Sequence, residues 1–374
     1  MQFSRRKMLL IRLVRKPLSI TLIIFMLIFS IFLFTARAQS TQSLYLNRVG
    51  FIDLEVGYDV HVVGDNAYVT NNQGLMIIDI QDPQNPQKLG EVLCGGSLGF
   101  EVESNIAYLA TVLNGLVISD ISNPSNPQLL GQDNVGGAIR IAVSGSYACV
   151  TYMNAGFKIF NISDLMDPVF LGEFSDTRSD AIEIKGNFAY LANAEVGLKV
   201  VNISNPSSPQ LVAIVSQTGG ANDIHITNDM LFLACWGAGI RVIDISDPIS
   251  PQMLDFYDDN DGGEELGIKE RDSLLYIADN NGVEVFNVSD PTSIVEIAER
   301  TNDVSAAHDI DVDGDYIYVA LGGGLLILEL STTPEIDPIL MLIIIISAIA
   351  AVGVISSIVY LKILKPRKLK KVEI

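Results

Sequence analysis

The chain has 374 residues, 24 of them basic and 44 acidic, with a formal net charge of −20 and a mean hydropathy of +0.35. A surface so acidic repels nucleic acid and anionic lipid, which excludes nucleic acid as a partner and favours cations or basic partners. The three cysteines, Cys94, Cys149 and Cys235, are odd in number and scattered, which excludes a disulfide framework.

Taken from its start, the chain opens with Arg5, Arg6, Lys7, Arg12, Arg15 and Lys16, followed by an apolar run over residues 18–34 and the small-x-small site Ala36-Arg37-Ala38. Residues 1–38 therefore read as a signal peptide, with an uncleaved signal anchor as the alternative. Residues 39–331 are built on Gly74-Leu75-Met76-Ile77-Ile78-Asp79-Ile80 and six further copies, led by Gly115, Gly156, Gly197, Gly239, Gly282 and Gly324. The leading glycines lie 41, 41, 41, 42, 43 and 42 residues apart, a period that fixes a repeat architecture before any other consideration.

Each unit has one grammar. In the first, Val60-His61-Val62 alternates as a strand, Gly64-Asp65-Asn66 turns, and Ala67-Tyr68-Val69-Thr70 is a second strand. A turn at Asn71-Asn72-Gln73-Gly74 leads to a third strand over 75–80, the rigid turn Asp82-Pro83-Gln84-Asn85-Pro86, and an outer strand Lys88-Leu89-Gly90-Glu91-Val92. Short strands rich in Val, Ile and Tyr between Gly, Asn, Asp and Pro predict an all-β fold, a seven-bladed β-propeller of four-stranded antiparallel blades. The last unit supplies three strands only, so residues 43–53 are expected to complete the last blade and leave no open edge.

The run Leu-x-Ile/Val-x-Asp/Asn-Ile-Ser followed by Asp/Asn-Pro resembles the LVIVD repeat of bacterial and archaeal surface proteins. It is well matched in blades one, two, four and five, and altered at Phe157 and Phe160, at Val283 and Phe286, and at Glu329. The resemblance implies a cell-surface location and a propeller shape, and it carries no catalytic residues to transfer.

Beyond a juxtamembrane linker (332–337), residues 338–361 are 24 residues without a charge, long enough for a transmembrane helix. The tail 362–374 holds six basic residues and one acidic one, which by the positive-inside rule is cytoplasmic. The expectation is a single-pass protein of the cell membrane with an extracellular N-terminal domain. The first 38 residues hold seven basic and no acidic residues, so 11 basic and 43 acidic residues fall to the external part. Strand direction puts the turns between second and third strands on one face with the inter-blade links. The Asp/Asn-Pro turns and the departing chain share the opposite face, which should then look at the membrane.

Several residues are candidates for recognition on the outward face. Trp236, the only tryptophan, lies in the turn Cys235-Trp236-Gly237-Ala238, whose counterpart in blade three holds Tyr152 and Asn154. Exposed aromatics beside amides suit stacking on sugar or anchoring a protein. Asp59, Asp223 and Asp309 recur at one repeat position, with Arg140 in blade three. They either ring the channel mouth with His308 as ligand groups or bond turn amides of the next blade. His61 and His225 share a second position, as metal ligands or as polar groups between blades. The loop holding Asp258, Asp259, Asp261 and Glu264 is a candidate weak Ca²⁺ site, or a solvated acidic loop, and no cofactor is otherwise required. Asp309-Ile310-Asp311-Val312-Asp313-Gly314 matches half of a Ca²⁺ loop, but position twelve is Ala320. Asn161, Asn202 and Asn287 begin N-glycosylation sequons where other blades write Asp.

Phosphate loops, nucleophile elbows and His/Cys metal spacings do not occur in the sequence. The expected function is therefore a non-catalytic adhesion or binding module for an extracellular protein or glycan. The alternatives are a cation-linked structural component of the envelope and an extracellular hydrolase or lyase.

Overall fold

In the computed structural model of the chain, the described residues are 44–334 except 154, 217–218, 259–264, 302–303 and 305, together with Ile346. The expected signal segment, the span apart from Ile346, and the basic tail lie outside them. Among the described residues no helix is long and apolar enough to cross a membrane.

The strands of the described residues form seven four-stranded antiparallel sheets. Blade one runs from its inner strand Val60–Val63 through Asn66–Thr70 and Gly74–Asp79 to its outer strand Gln87–Leu93. Blades two to six repeat this order. Blade seven takes Ala307–Asp313, Tyr316–Leu321 and Gly324–Ser331 from the end of the domain and its outer strand, Tyr45–Asp53, from the beginning. The register runs from Tyr45 opposite Ser331 to Asp53 opposite Gly324. The expected seven-bladed propeller, with its N-terminal closing strand, is what the chain forms.

The repeated hexapeptide is explained by what its strand touches. Side chains alternate across a strand, and in the third strand of each blade both faces are covered. Leu75 and Ile77 pack into blade two with Leu109 and Val117, while Met76 and Ile78 pack into blade seven with Leu325 and Ile327. A strand buried on both sides favours a near-continuous apolar run over an alternating one, interrupted at the Met76 position by Lys158, Lys199, Arg241 and Glu284 in blades three to six. The same arrangement recurs around the ring, so the core is seven clusters, one in each interface between blades. Each fully buried Leu or Ile contributes roughly 1.5–3 kcal/mol, and no blade could realise this alone.

Glycine leads the hexapeptide because the outer strand crosses it closely. Gly156 has φ 74°, and a Cβ there would collide with the carbonyl oxygen of Phe174. The Asp or Asn near the end caps the following turn. Asp79 Oδ1 accepts from the Gln81 amide (2.9 Å) and Asp244 Oδ1 from that of Ser246 (2.8 Å).

Candidate functional site

The inner strands of blades two to seven all begin with a bulge, at Ser97/Gly99, Ala138/Ile141, Ser179/Ala181, Ala221/Asp223, Glu265/Gly267 and Ala307/Asp309. A bulge re-aims a side chain out of the ladder, and here the residue within it faces the axis. Leu98, Ile139, Asp180, Asn222, Leu266 and His308, joined by Tyr58 just ahead of the short inner strand of blade one, line a cavity of about 200 Å³. Arg140, Arg178 and Trp236 complete the lining. This is the channel mouth on the face of the inter-blade links.

Its polar groups are held in place. Arg178 Nε donates to Asp180 Oδ1 (2.5 Å), and Asp180 is otherwise buried. His308 Nδ1 lies 2.7 Å from the Gly57 carbonyl oxygen. A carbonyl can only accept, so Nδ1 carries the proton and a neutral ring keeps Nε2 as an acceptor. The Tyr58 ring lies against His308, centroids 5.8 Å apart, and the Tyr58 hydroxyl donates to Asn72 Oδ1 (2.8 Å). Trp236 is 48% exposed at the rim.

Below the mouth lies a second cavity of about 200 Å³, lined by charged and apolar groups of the inner strands. Arg140 borders both cavities, and its Nη1 donates to the carbonyl oxygens of Leu98 and Ile139. The carboxylates of the lower cavity grip the next blade. Asp309 accepts from the Val60 amide (2.9 Å), Asp59 from Phe100 (3.1 Å) and Asp223 from Ile268 (3.0 Å). One turn of the pleat further in, Asp311 accepts from Val62 (2.7 Å), Glu101 from Val143 (2.7 Å) and Glu183 from Ile226 (3.0 Å). The interface that closes the ring, blade seven to blade one, thus carries two such clamps.

Burial dominates the electrostatics here. Burial, and then the hydrogen-bonded Asp309 carboxyl, push Asp59 well above the usual carboxylate range against the pull of Arg140. Burial and Asp309 push Asp223 up to about 8, and burial pushes Glu101 up to about 8. Burial lowers His61, which lies 3.5 Å from Asp311, and His225 lies 3.5 Å from Glu183. Lys269, despite its burial, is held above its ordinary value by Asp311 at 3.0 Å.

The structure thus brings Trp236 and His308 together at the mouth, with Asp59, Asp223 and Asp309 in the channel beneath. The three aspartates bond amides of the next blade, the second of the two uses the sequence leaves open to them, except that these amides belong to its inner strand and not to a turn. Tyr152 does not reach the mouth. It is buried, its hydroxyl donates to Asp133 Oδ2 (2.8 Å), and Lys158 Nζ sits 4.5 Å from its ring centroid. Asn154, Asp259, Asp261 and Glu264 lie outside the described residues, so of the candidate Ca²⁺ loop only Asp258 is described. Asp309, Asp311 and Asp313 lie along one strand, the first two clamping blade one and the third bound to Arg271 Nη1 at 2.9 Å. Among the described residues no group of three or more His, Cys, Asp or Glu side chains is arranged to hold a metal ion. Asn161, Asn202 and Asn287 each accept the amide of the serine two residues on, at 2.9 Å, as the aspartates of other blades do. Of the mouth residues at the bulges only His308 is among the sequence candidates; the others escape sequence reasoning, because they sit one place before the recurrent Asp59 position and vary freely in type.

The LVIVD repeat matches the chain at residues 57–93, 99–134, 135–176, 178–217, 218–259, 272–301 and 305–334. No curated protein matches it in sequence. Among solved structures it is similar to the propeller domain of Cps50 (Swd1) from Myceliophteria thermophila, at 11% identity and TM-score 0.63, covering 77% of this chain and 100% of that one. The WD40 propeller domain of Doa1 gives 11% identity and TM-score 0.61, covering 77% and 97%. The computationally designed Ika8 protein gives 10% identity and TM-score 0.58, covering 77% and 100%. At such identities the likeness is one of fold alone.

Proposed function

The chain belongs to the LVIVD-repeat family, and from that membership and the geometry above we propose that it is a cell-surface binding module, anchored in the membrane through residues 338–361. The observation that carries this reading is the separation of its two ends. Tyr45 and Ser331 pair side by side at the Pro-turn end of blade seven, opposite the end where the mouth and the exposed Trp236 lie. Only residues 332–337 separate the last strand from the apolar segment, and six extended residues reach about 20 Å at most. An anchor on that side leaves the mouth facing away from the cell, available to an extracellular protein or glycan for adhesion.

The use of the channel carboxylates as clamps between blades favours a binding module over a hydrolase or lyase. The test is attachment of cells displaying the full chain to glycan and surface-protein arrays, with and without Ca²⁺. Trp236→Ala is expected to weaken attachment at least about tenfold, as loss of an interfacial aromatic anchor does, without lowering surface display. Unchanged attachment by this variant would overturn the reading.

A further inference from the structure

We infer that the mouth is a subsite for one pyranose ring of an uncharged glycan, stacked on Trp236 with its hydroxyls against Asp180, Arg178 and His308. This rests on the proposal that the mouth face is the binding face. The argument starts from charge. A basic side chain or a free carboxylate needs an uncompensated opposite charge, because a buried charge without a partner is costly. At the mouth two charged groups of the lining neutralise each other, Arg178 Nε on Asp180 Oδ1 at 2.5 Å. The Arg140 guanidinium at the floor donates to the Leu98 and Ile139 carbonyls and sits above the channel aspartates, which it pulls downward in pKa.

What the mouth does present is a set of oriented donors and acceptors in which Arg178 and Asp180 compensate each other and Arg140 is turned to the backbone carbonyls of the floor. The Asp180 carboxylate has lone pairs beyond the one Arg178 occupies, Arg178 is half exposed, and His308, with Nδ1 turned to the Gly57 carbonyl, has Nε2 left to face the cavity. Hydroxyls, which donate and accept together, are the groups that such a mixed set satisfies. Apolar side chains complete the ring from blades two, three and six, and Trp236 offers a flat face at the rim. A pyranose has this duality, apolar C–H faces and a polar edge, and a cavity of about 200 Å³ is of single-ring size. The bulges supply a second and independent observation. The same irregularity occurs at the start of six inner strands and turns one residue from each into this space, a placement that bulges commonly serve next to binding sites.

The sole tryptophan makes the test direct, because the emission of the whole chain reports the mouth. Full-length protein in detergent is titrated with methyl glycosides and disaccharides of glucose, galactose, mannose and N-acetylglucosamine. At least one is expected to shift the emission to shorter wavelength saturably, with millimolar-order affinity, and to protect Trp236 from acrylamide. Asp180→Asn should weaken that ligand about tenfold. Calorimetry on Trp236→Phe, which keeps a ring, should retain more binding than Trp236→Ala. Far-ultraviolet circular dichroism of each variant must match the parent. No saturable response to any saccharide, or equal responses in the parent and Asp180→Asn, overturns the inference. Binding of basic peptides or acidic sugars in place of neutral ones overturns it as well. If saccharides fail while Trp236→Ala still weakens cell attachment, the ligand class falls and the binding face stands. If saccharides bind and attachment is indifferent to Trp236, the reading of the mouth as the face used in attachment falls.

Discussion

Asp223 lies in an enclosed channel and yet bonds a backbone amide, the Ile268 N–H at 3.0 Å. A neutral carboxyl can accept that bond as an ionised one can, and enclosure favours the neutral form. Asp223 is accordingly pushed up to about 8 from 3.8, so between those values the folded chain holds a proton that the unfolded chain releases. Its contribution to stability is fully present below pH 3.8 and lost as pH rises through about 8. Glu101 and Asp59 act in the same direction, whereas His61, lowered by burial, opposes folding on the acid side. The thermal midpoint should therefore fall between about pH 5 and about pH 9. Asp223→Asn keeps an acceptor for Ile268 and removes the charge, so it should flatten that fall and be the more stable chain at the alkaline end. Scanning calorimetry of the two chains across this range checks it; a variant less stable at high pH would mean that the ionised bond outweighs the burial. This residue was legible in the sequence as a recurrent aspartate with an amide of the next blade as one of its two possible partners, but which amide it takes was not. The partner is a main-chain N–H in the next blade, which leaves no signature in residue type.

The element that closes the ring owes its place to one small residue. In blade one the outer-strand Gly90 lies so near the Pro124 carbonyl of the following blade that a Cβ would collide with it, and Gly172 stands likewise to Pro206. Gly50, in the N-terminal strand, stands in the same relation to Pro83 of blade one. The strand is also held by Arg300 Nη1, which donates to the Leu46 carbonyl oxygen (2.5 Å). Gly50→Val should drive the closing strand off the Pro turn and destabilise the domain by about 2–4 kcal/mol, read as a lower urea midpoint. A midpoint equal to the parent's would show that blade seven does not depend on this close approach. Elements like this one were legible because the blades repeat the same demands on their third and outer strands: a mostly apolar run in one, and in the other a small residue under the neighbouring Pro turn, glycine in blades one, two, three and seven and Ala213 and Ala298 in blades four and six. The mouth was legible only at Trp236 and His308, for the opposite reason. A bulge adds one residue at a place where any side chain fits, so the position is fixed by the fold while its occupant is free to differ, as Leu98, Asp180 and His308 do.

At the scale of the whole molecule, the proposed use of the mouth requires that it point away from the bilayer. An inner strand of seven residues, such as Ser97–Glu103, rises ~3.3 Å per residue, so the two faces of the propeller stand roughly 20 Å apart. Leu113, in the turn between the second and third strands of blade two, is 68% exposed at the mouth end, and Ile249, in the Pro turn of blade five, is 62% exposed at the other. Both accept a cysteine without disturbing a core contact. The native thiols will not compete for a label, because Cys94, Cys149 and Cys235 are buried, and burial pushes the first two up to about 11 and about 12. Full-length protein carrying Leu113→Cys or Ile249→Cys, labelled with a fluorescent donor and reconstituted into vesicles with an acceptor lipid, should transfer more energy from the label at 249 than from that at 113. If residues 338–361 anchor the chain as proposed, the six residues after Ser331 span about 20 Å at most, so the difference should survive rocking of the domain. Equal transfer would mean that the propeller lies on its side, and the reverse order that the mouth faces lipid. The reverse order would leave Trp236 no access to a partner outside the cell, whatever its own chemistry allows.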